Sequence, residues 1–232
     1  MGWGLGNLGG GQRLPELGRI LESCSWKEIE KVANAGLAPA YWRAGERKNV
    51  AIGNETYAVE ILGFDHDALA SGAGRAGITF GMVDCLNRTY QMNSTNTNAG
   101  GWGSCALRST LQSTIFGQLP ADLQSVILPV KKLTSAGNQS AVIGTTDDTL
   151  FLFSEREVFG ATTYSTGEEG TQYARFAVTE SRVKKANGSA HSWWLRSPDA
   201  SSSTVFCRVN TSGAATNYYA SLSDGVAFGF CV

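Results

Sequence analysis

Only two histidines, His66 and His191, could serve in acid–base or metal chemistry. His66 lies in Asp65-His66-Asp67, where alternation along an extended segment places both carboxylates on one side and the imidazole on the other. A metal could use such groups, but a loop in which Asp67 caps the following segment is the simpler expectation. His191 precedes Ser192, with no third orienting group and no nucleophile elbow. We therefore predict no metal site and no catalytic residue.

The cysteines offer no obvious redox or metal chemistry either. The five are widely spaced and include no Cys-x-x-Cys pair: Cys24, Cys85, Cys105, Cys207 and Cys231. An odd number cannot be fully paired within one chain, so neither a zinc ribbon nor a closed disulfide framework is indicated. We expect most of them to be small buried apolar residues.

Glycine-rich and acidic stretches resemble functional motifs only superficially. Residues 72–77 (GAGRAG) lack the Lys-Ser or Lys-Thr of a phosphate loop, and no long helix opens there, so a turn is expected. The pairs Asp147-Asp148 and Glu168-Glu169 could act as general acid and base, but adjacent acids in polar loops are usually solvated. The sequence therefore favours a protein that is not an enzyme and uses no cofactor.

The elements that would position a site fall into two predicted parts. Residues 1–40 form a Gly-rich lead-in (1–12) and a small helical element. The helical element comprises a stretch from Pro15 to Glu22 and a second helix that starts at the capping box Ser25 to Glu28. Residues 41–232 form the second part, a larger domain.

Hydrophobic periodicity predicts strands on both sides of a few central helices. The pattern predicts a hairpin over 49–61 and a strand over 78–83, followed by a loop over 90–103 around Trp102. Helices are expected over 106–116 and 120–126. A strand over 149–153 then leads into a second capping box, from Ser154 to Glu157. The end of the chain reads as an antiparallel meander, with apolar strands over 192–195, 204–210 and 226–232 and turns at 211–213 and 223–225. The fold class is therefore α+β, with mixed or antiparallel sheets.

Charge and hydropathy exclude several partner classes. With 19 Lys and Arg against 20 Asp and Glu, the net charge is -1, so no basic excess is available for nucleic acid. No stretch approaches the ~18 apolar residues that span a bilayer. The start of the chain lacks the basic and apolar regions of a secretory signal, so we expect that any export uses another route.

The segment 196–232, which we call the tail, lacks a specific set of residue types. It contains no Lys, Glu, Gln, Met or Trp, although all 6 Trp and all 3 Met of the chain occur before it. These are the residue types whose codons never end in a pyrimidine. Randomising the adenines of Asn codons would give every residue type except these. The alternative is a compositional accident, although at typical usage several of the five would occur in such a span.

The tail also has the composition of a binding surface. It is rich in Ser, Asn, Thr and Tyr, with Arg208 and Asp224 among its charged residues. Tyrosine provides a large contact area for little loss of rotamer freedom, and Ser and Asn adapt their hydrogen bonds to a partner. Composition alone is equally compatible with a solvated sheet edge and its turns.

Several blocks of the sequence resemble one family. The blocks are Gly188–Pro198 (GSAHSWWLRSP), Gly225–Val232 (GVAFGFCV), Asp65–Asp67, Met92–Trp102 (MNSTNTNAGGW), Gln118–Leu123 (QLPADL) and Leu133–Gln139 (LTSAGNQ). They resemble the C-type-lectin-fold variable proteins of diversity-generating retroelements, which occur in gut bacteria and their phages. The resemblance covers most of the chain from about Trp26 onward.

For residues 41–232, this resemblance implies a ligand-binding domain with a C-type lectin fold, whose tail is rewritten by adenine-specific mutagenesis around a fixed framework. The implied framework is Trp193, Trp194, Leu195, Cys207, Val209, Val226, Phe228 and Phe230. The implied variable, ligand-binding face is Asp199, Ser202, Thr204, Val205, Arg208, Asn210, Thr211, Ala214, Thr216, Asn217, Tyr218, Tyr219, Leu222 and Asp224. No Glu-Pro-Asn or similar acidic triplet lies near the tail, so calcium-dependent sugar binding is not expected.

The resemblance also implies a class of function. It implies a receptor-binding or adhesive protein of a phage particle or cell surface that varies its specificity for a macromolecular partner, either a protein or a surface glycan. Two alternatives remain open: a structural component of the phage particle, and an enzyme like the formylglycine-generating enzymes, which share the fold and use cysteines. For the enzyme, Cys207 and Cys231 are the cysteines to consider.

Overall fold

The computed structural model describes residues 14–232, which form an α+β fold with mostly antiparallel sheets and few helices. The α-helices are α1 (Trp26–Asn34), α2 (Ala38–Tyr41), α3 (Ala106–Thr110), α4 (Ala121–Gln124) and α5 (Glu155–Phe159). The strands are β1 (Arg47–Ile52), β2 (Glu55–Phe64), β3 (Ile78–Met82), β4 (Tyr90–Gln91), β5 (Val130–Ser135), β6 (Ile143–Asp148), β7 (Lys184–Ala186), β8 (Ser189–His191), β9 (Trp193–Pro198), β10 (Val205–Val209), β11 (Ala215–Tyr219), β12 (Ser223–Asp224) and β13 (Gly229–Cys231). The expected Gly-rich lead-in, 1–12, lies outside the described residues.

Both capping boxes are confirmed. Ser25 caps α1 by accepting from the Glu28 amide, and the Glu28 carboxylate accepts in return from the Ser25 amide. The same reciprocal pair, Ser154 and Glu157, starts α5. The helix expected from Pro15 to Glu22 is wrong: Gly18 has φ 90°, outside the helical region, and only a short 3₁₀ turn forms at Leu21–Ser23.

The central helical segment follows its hydrophobic pattern. Helix α3 continues through a π-helical turn, Leu111–Ile115, and a 3₁₀ turn, Phe116–Gln118, so the chain stays helical slightly beyond the predicted 106–116. The buried residues Leu107, Leu111 and Ile115 are those that the spacing placed on one face. Helix α4 lies within the predicted 120–126.

The largest sheet joins the two ends of the described chain. Its strand order is β1-β2-β3-β13, all antiparallel, and β1–β2 is the hairpin that the alternating pattern predicted. Strand β13 pairs with β3, so that Phe230 lies opposite Phe80 with the rings stacked at 5.3 Å. Trp26 of α1 packs edge-on against both rings. The apolar strand expected over 226–232 is therefore shorter and belongs to this sheet, not to the tail meander.

The tail forms a second sheet of order β11-β10-β9, an antiparallel meander in which β9 and β10 correspond to two of the predicted strands. Its third strand, β11, was not predicted and takes the place expected for 226–232. The turn at 211–213 is also confirmed. The turn expected at 223–225 is wrong, because Ser223–Asp224 is β12 and pairs with β4. The chain reverses earlier, where the Leu222 amide donates to the Tyr219 carbonyl. Residues 149–153, expected as a strand, form one isolated bridge between Phe151 and Gly229.

A chain of ion pairs crosses the core. Lys132, 1% exposed, lies 2.7 Å from the Asp67 carboxylate and 2.6 Å from the Glu157 carboxylate. Glu157 in turn accepts two hydrogen bonds from the buried Arg196 guanidinium. Asp67 also accepts from the Thr79 and Tyr173 hydroxyls. The expected capping role of Asp67 is therefore wrong: it neutralises a buried lysine.

Each adjacent acid pair divides between solvent and core. Asp147 and Glu168 are exposed, as expected of solvated acids. Asp148 is buried, where it accepts from the Arg108 guanidinium and the Trp102 indole. Glu169 is also buried, and burial raises the pKa of its carboxyl. No helix among residues 14–232 has the length and apolar character needed to cross a bilayer.

Candidate functional site

The candidate site is built on the tail sheet, where β10 is central and β11 lies at the edge. Residues that lie opposite each other in an antiparallel pair share a face. Tyr218 lies opposite Phe206 on one face, and Asn217 lies opposite Cys207 on the other. Strand β10 is mostly buried, whereas every residue of β11 is at least partly exposed. The tail sheet therefore presents β11 and its flanking turns to solvent.

All but three of the candidate face residues are partly or fully exposed. The partly exposed side chains are Ser202, Thr204, Arg208, Asn210, Thr216, Asn217 and Tyr218, and the exposed ones are Thr211, Ala214, Tyr219 and Leu222. Among them, Tyr219 is 50% exposed and Leu222 is 40% exposed. These two are the exposed large hydrophobic side chains of the tail.

The three exceptions, Asp199, Val205 and Asp224, are buried and support their neighbours. The Asp199 carboxylate accepts from the Asn217 amide group at 2.7 Å and from the Ser201 hydroxyl. The Asp224 carboxylate accepts from the Arg208 guanidinium at 2.8 Å. The structure thus places these three beneath the exposed face and not on it.

Arg208 and Tyr218 form the centre of one face. The guanidinium lies 3.9 Å from the centroid of the Tyr218 ring, within the range of a cation–π contact. Trp194 packs against Tyr218, with the two ring centroids 6.0 Å apart. The Asp224 carboxylate, which holds Arg208, also lies 3.3 Å from His191 Nδ1. The Arg208 cation thus lies over the Tyr218 ring, and both side chains are partly exposed.

The implied framework residues are all buried. Each of the eight is at most 1% exposed: Trp193, Trp194, Leu195, Cys207, Val209, Val226, Phe228 and Phe230. The Trp193 indole donates to the Arg182 carbonyl and the Trp194 indole to the Tyr90 carbonyl, so neither buried ring leaves its N–H unpaired. Rigid apolar side chains therefore lie directly below the exposed ones.

The loop 92–102 forms hydrogen bonds to the main chain of the tail. Asn98, 0% exposed, donates from its side chain to the Ser202 carbonyl at 2.7 Å and to the Val205 carbonyl at 2.8 Å. Its own amide donates to the Ser203 carbonyl, and its side-chain oxygen accepts from the Asn138 amide at 2.7 Å. None of these bonds uses a tail side chain, so they would survive a change of tail sequence.

Further hydrogen bonds connect the tail to its neighbours, and all but one of them use the main chain of the tail. The Asn93 amide donates to the Ala220 carbonyl, and the Gln139 side chain donates to the Ser201 carbonyl. Asn96 accepts from both the amide and the hydroxyl of Ser221. Sequence reasoning placed this polar stretch in a loop but did not identify Asn98 as a buried partner of the tail. Its Asn and Thr neighbours are just as polar, and nothing in the pattern distinguishes it.

The cysteines are all free and buried. Burial raises the pKa of the Cys85 thiol to about 12 and that of Cys105 to about 11. The pKa values of Cys207 and Cys231 are also raised well above the ordinary value, first by burial and then by nearby acids. These thiols therefore stay protonated at neutral pH, whereas the thiolate is the nucleophilic form.

Other clusters in the described part of the chain are structural in character. Within residues 14–232, no group of three or more His, Cys, Asp or Glu side chains is arranged to hold a metal ion. His66 stacks on Tyr173 with centroids 4.0 Å apart, and its Nε2 lies 3.1 Å from the Thr171 hydroxyl. The tail face therefore remains the strongest candidate for a site.

A family model described as a domain of unknown function (DUF6273) matches residues 77–232, which include the tail and the loop that holds it. No curated protein and no solved structure matches the chain.

Proposed function

The chain belongs to the DUF6273 family, and we propose that it is a ligand-binding protein with a C-type lectin fold whose tail is diversified by adenine-specific retroelement mutagenesis. The ligand is macromolecular, a protein or a surface glycan. The protein works at the surface of a phage particle or a cell, as a receptor-binding or adhesive component. It acts by surface complementarity and performs no chemistry on its ligand.

The observation that carries this proposal is the division of the tail and of the adjoining residues 193–195 into buried and exposed positions. The eight expected framework residues are at most 1% exposed, while eleven of the fourteen expected variable residues reach the surface. Substitutions at exposed positions usually change stability by no more than about 0.5 kcal/mol, whereas core substitutions cost several times more. A tail with this division can change its surface without losing its fold.

The main-chain contacts of Asn98 support the same proposal. The Ser202 and Val205 carbonyls are present whatever side chains those positions carry. A loop that binds these carbonyls keeps the tail backbone in place for many tail sequences. Preorganised binding surfaces lose less conformational entropy when a partner binds.

The residue types that the tail lacks support the diversification part. A tail without Lys, Glu, Gln, Met and Trp fits a codon set that ends in pyrimidines. The tail still provides tyrosine and arginine, which are enriched among residues that dominate binding energy. Tyr218, Tyr219 and Arg208 are the three such residues among the candidate variable positions, with Arg208 and Tyr218 on one side of the tail sheet and Tyr219 on the other.

The enzyme alternative has less support. Its nucleophile would be Cys207 or Cys231, and both thiols are buried with strongly raised pKa values. A thiol in that state is a poor nucleophile at neutral pH. A purely structural particle component would not need an exposed Tyr and Arg surface, and no specific feature favours it.

The DNA beside the coding sequence tests the proposal. We expect a near-copy of the segment that encodes the tail, next to a reverse transcriptase gene. The near-copy would differ from the coding segment at its adenines. A locus without such a near-copy would contradict diversification of this chain.

A further inference from the structure

Strand β11, Ala215–Tyr219, is the open edge of the tail sheet. Its inner side pairs with β10 along its whole length. It stands at the end of the strand order β11-β10-β9, and no isolated bridge within residues 14–232 involves it. The Tyr219 carbonyl accepts from the Leu222 amide of the following turn, and the rest of the strand's outer side has no main-chain partner in the described part of the chain.

Hydrogen bonds at both ends of β11 identify which of its main-chain groups point outward. In an antiparallel pair, hydrogen-bonded and non-hydrogen-bonded residue pairs alternate. At one end, the Asn210 amide donates to the Ala214 carbonyl at 2.9 Å. At the other end, the Ala220 amide donates to the Thr204 carbonyl at 3.0 Å. The alternation leaves the N–H and C=O groups of three residues facing away from β10: Ala215, Asn217 and Tyr219.

This edge lacks the features that usually prevent strand pairing. Natural sheets protect their edges with charged side chains, proline, bulges or a covering segment. The sequence of β11, Ala-Thr-Asn-Tyr-Tyr, contains no charge, no proline and no glycine, and its pairing with β10 has no bulge. The N–H of Asn217, in the middle of the strand, is therefore available to a partner strand.

The side chains around the edge could contact an added strand on both of its faces. Thr216 and Tyr218 lie on one face of β11, and Asn217 and Tyr219 lie on the other. All four are at least partly exposed. Exposed Leu222 follows within the turn that begins at Tyr219, so apolar surface adjoins one end of the edge.

We propose that β11 binds its ligand by strand addition, with an extended peptide segment of a protein ligand as the occupant. This rests on the proposed function of the tail and makes it more specific, since a glycan cannot complete a β-ladder. The main-chain hydrogen bonds supply affinity that tail sequences retain unless proline occupies an outward position, and the alternating side chains supply specificity. A surface of this kind can change its partner without rebuilding its mode of binding.

The test uses peptides selected for binding to the purified full chain from a displayed random library of about 12 residues in length. Asn217→Pro removes the outward N–H without removing a hydrogen bond to β10, and proline is tolerated at such edge positions. Asn217→Ala is the matched control, because it also loses the side-chain bond to Asp199 but keeps the N–H. Ala215→Pro provides a second variant if circular dichroism shows that Asn217→Pro is unfolded.

We expect Asn217→Pro to weaken peptide binding at least ~10-fold relative to Asn217→Ala, the effect of about one lost hydrogen bond or more. Bound peptide should also slow hydrogen exchange at the Asn217 amide. Equal affinities of the two variants, or no slowing of exchange, would overturn strand addition. So would a library that yields no binding peptide while a glycan array binds the chain.

A triple variant, Arg208→Ala with Tyr218→Ala and Tyr219→Ala, separates this proposal from the function on which it rests. If the triple variant loses peptide binding while Asn217→Pro retains it, the tail is the binding face and strand addition is wrong. If neither change affects binding, the tail is not the binding face.

Discussion

Substitution of Asn98 tests whether the loop 92–102 holds the tail in place through hydrogen bonds to the main chain of the tail. Asn98→Ala removes two side-chain donors, to the Ser202 and Val205 carbonyls, and the acceptor of the Asn138 amide. At about 1 kcal/mol of net stability for each hydrogen bond, the expected loss is about 3 kcal/mol. The Val205 carbonyl retains its hydrogen bond from the Asp199 amide. The loss of stability in Asn98→Ala should therefore stay close to this value.

Asn98→Asp sharpens the test, because it changes hydrogen-bonding character with almost no change of shape. The carboxylate could still accept from the Asn138 amide, but it would face two carbonyl oxygens where the carboxamide now donates. Burying a carboxylate against acceptors costs more than leaving the carbonyls unpaired. We expect Asn98→Asp to lose more stability than Asn98→Ala, by at least ~1 kcal/mol.

The assay is urea unfolding of both variants, followed by fluorescence and circular dichroism. Asn96→Ala is the matched control, because Asn96 lies in the same loop and also bonds to the tail but is exposed. We expect it to lose no more than about 0.5 kcal/mol. The reasoning would be refuted if Asn98→Asp were as stable as Asn98→Ala, or if Asn96→Ala were as destabilising as either.

Two further predictions concern the buried charges. Lys132→Met leaves the Asp67 and Glu157 carboxylates without their shared partner. It should lower the free energy of unfolding in urea by about 3–5 kcal/mol. The control is Lys27→Met, at an exposed pair with Glu30, which should lower it by less than about 1 kcal/mol. The Glu169 carboxyl has a pKa raised by burial, so its contribution to stability is present below the unfolded-state pKa and is lost as pH rises through the folded one. When the pH is raised from 4.5 to 8, the Glu169→Gln variant should therefore lose less stability than the unmodified chain. Identical dependence of stability on pH in the two proteins would show that the carboxyl does not titrate as described.

Local sequence patterns predicted the elements whose determinants lie within a few residues of each other. The two capping boxes each need only a Ser and a Glu three residues apart. The β1–β2 hairpin follows from alternation on either side of Gly53, whose φ of 60° suits a tight turn. These features depend little on the remainder of the chain.

Local sequence patterns could not predict pairings between segments that are distant in the sequence. Strand β12 exists because Ser223 and Asp224 meet Tyr90 and Gln91, more than a hundred residues earlier. The predicted turn at 223–225 used the same polar residues, whose local preference is for turns. A strand of two residues carries no periodicity of its own, so only its distant partner identifies it.

Buried polar residues were the other source of error. The sequence predicts a capping role for Asp67 and a solvated position for Asp148 and Glu169. Each is instead buried against a specific donor: Lys132, Arg108 and the Ser135 amide, respectively. Polarity alone cannot distinguish a solvated acid from a paired one, because the partner lies far away in sequence. Composition, missing residue types and the family resemblance place the candidate face in the tail, which stays a prediction, and none of them indicated that Asp199, Val205 and Asp224 are buried.

The most direct test of the central claim is the sequence of this locus in many isolates, read position by position against the near-copy of the tail-coding segment. We predict that differences occur only where the near-copy has adenine. They should fall in codons of exposed residues such as Thr216, Tyr218 and Tyr219, with those of Trp193, Trp194 and the other buried framework residues unchanged. Differences at all four bases, or spread equally over buried and exposed codons, would contradict a tail diversified for binding.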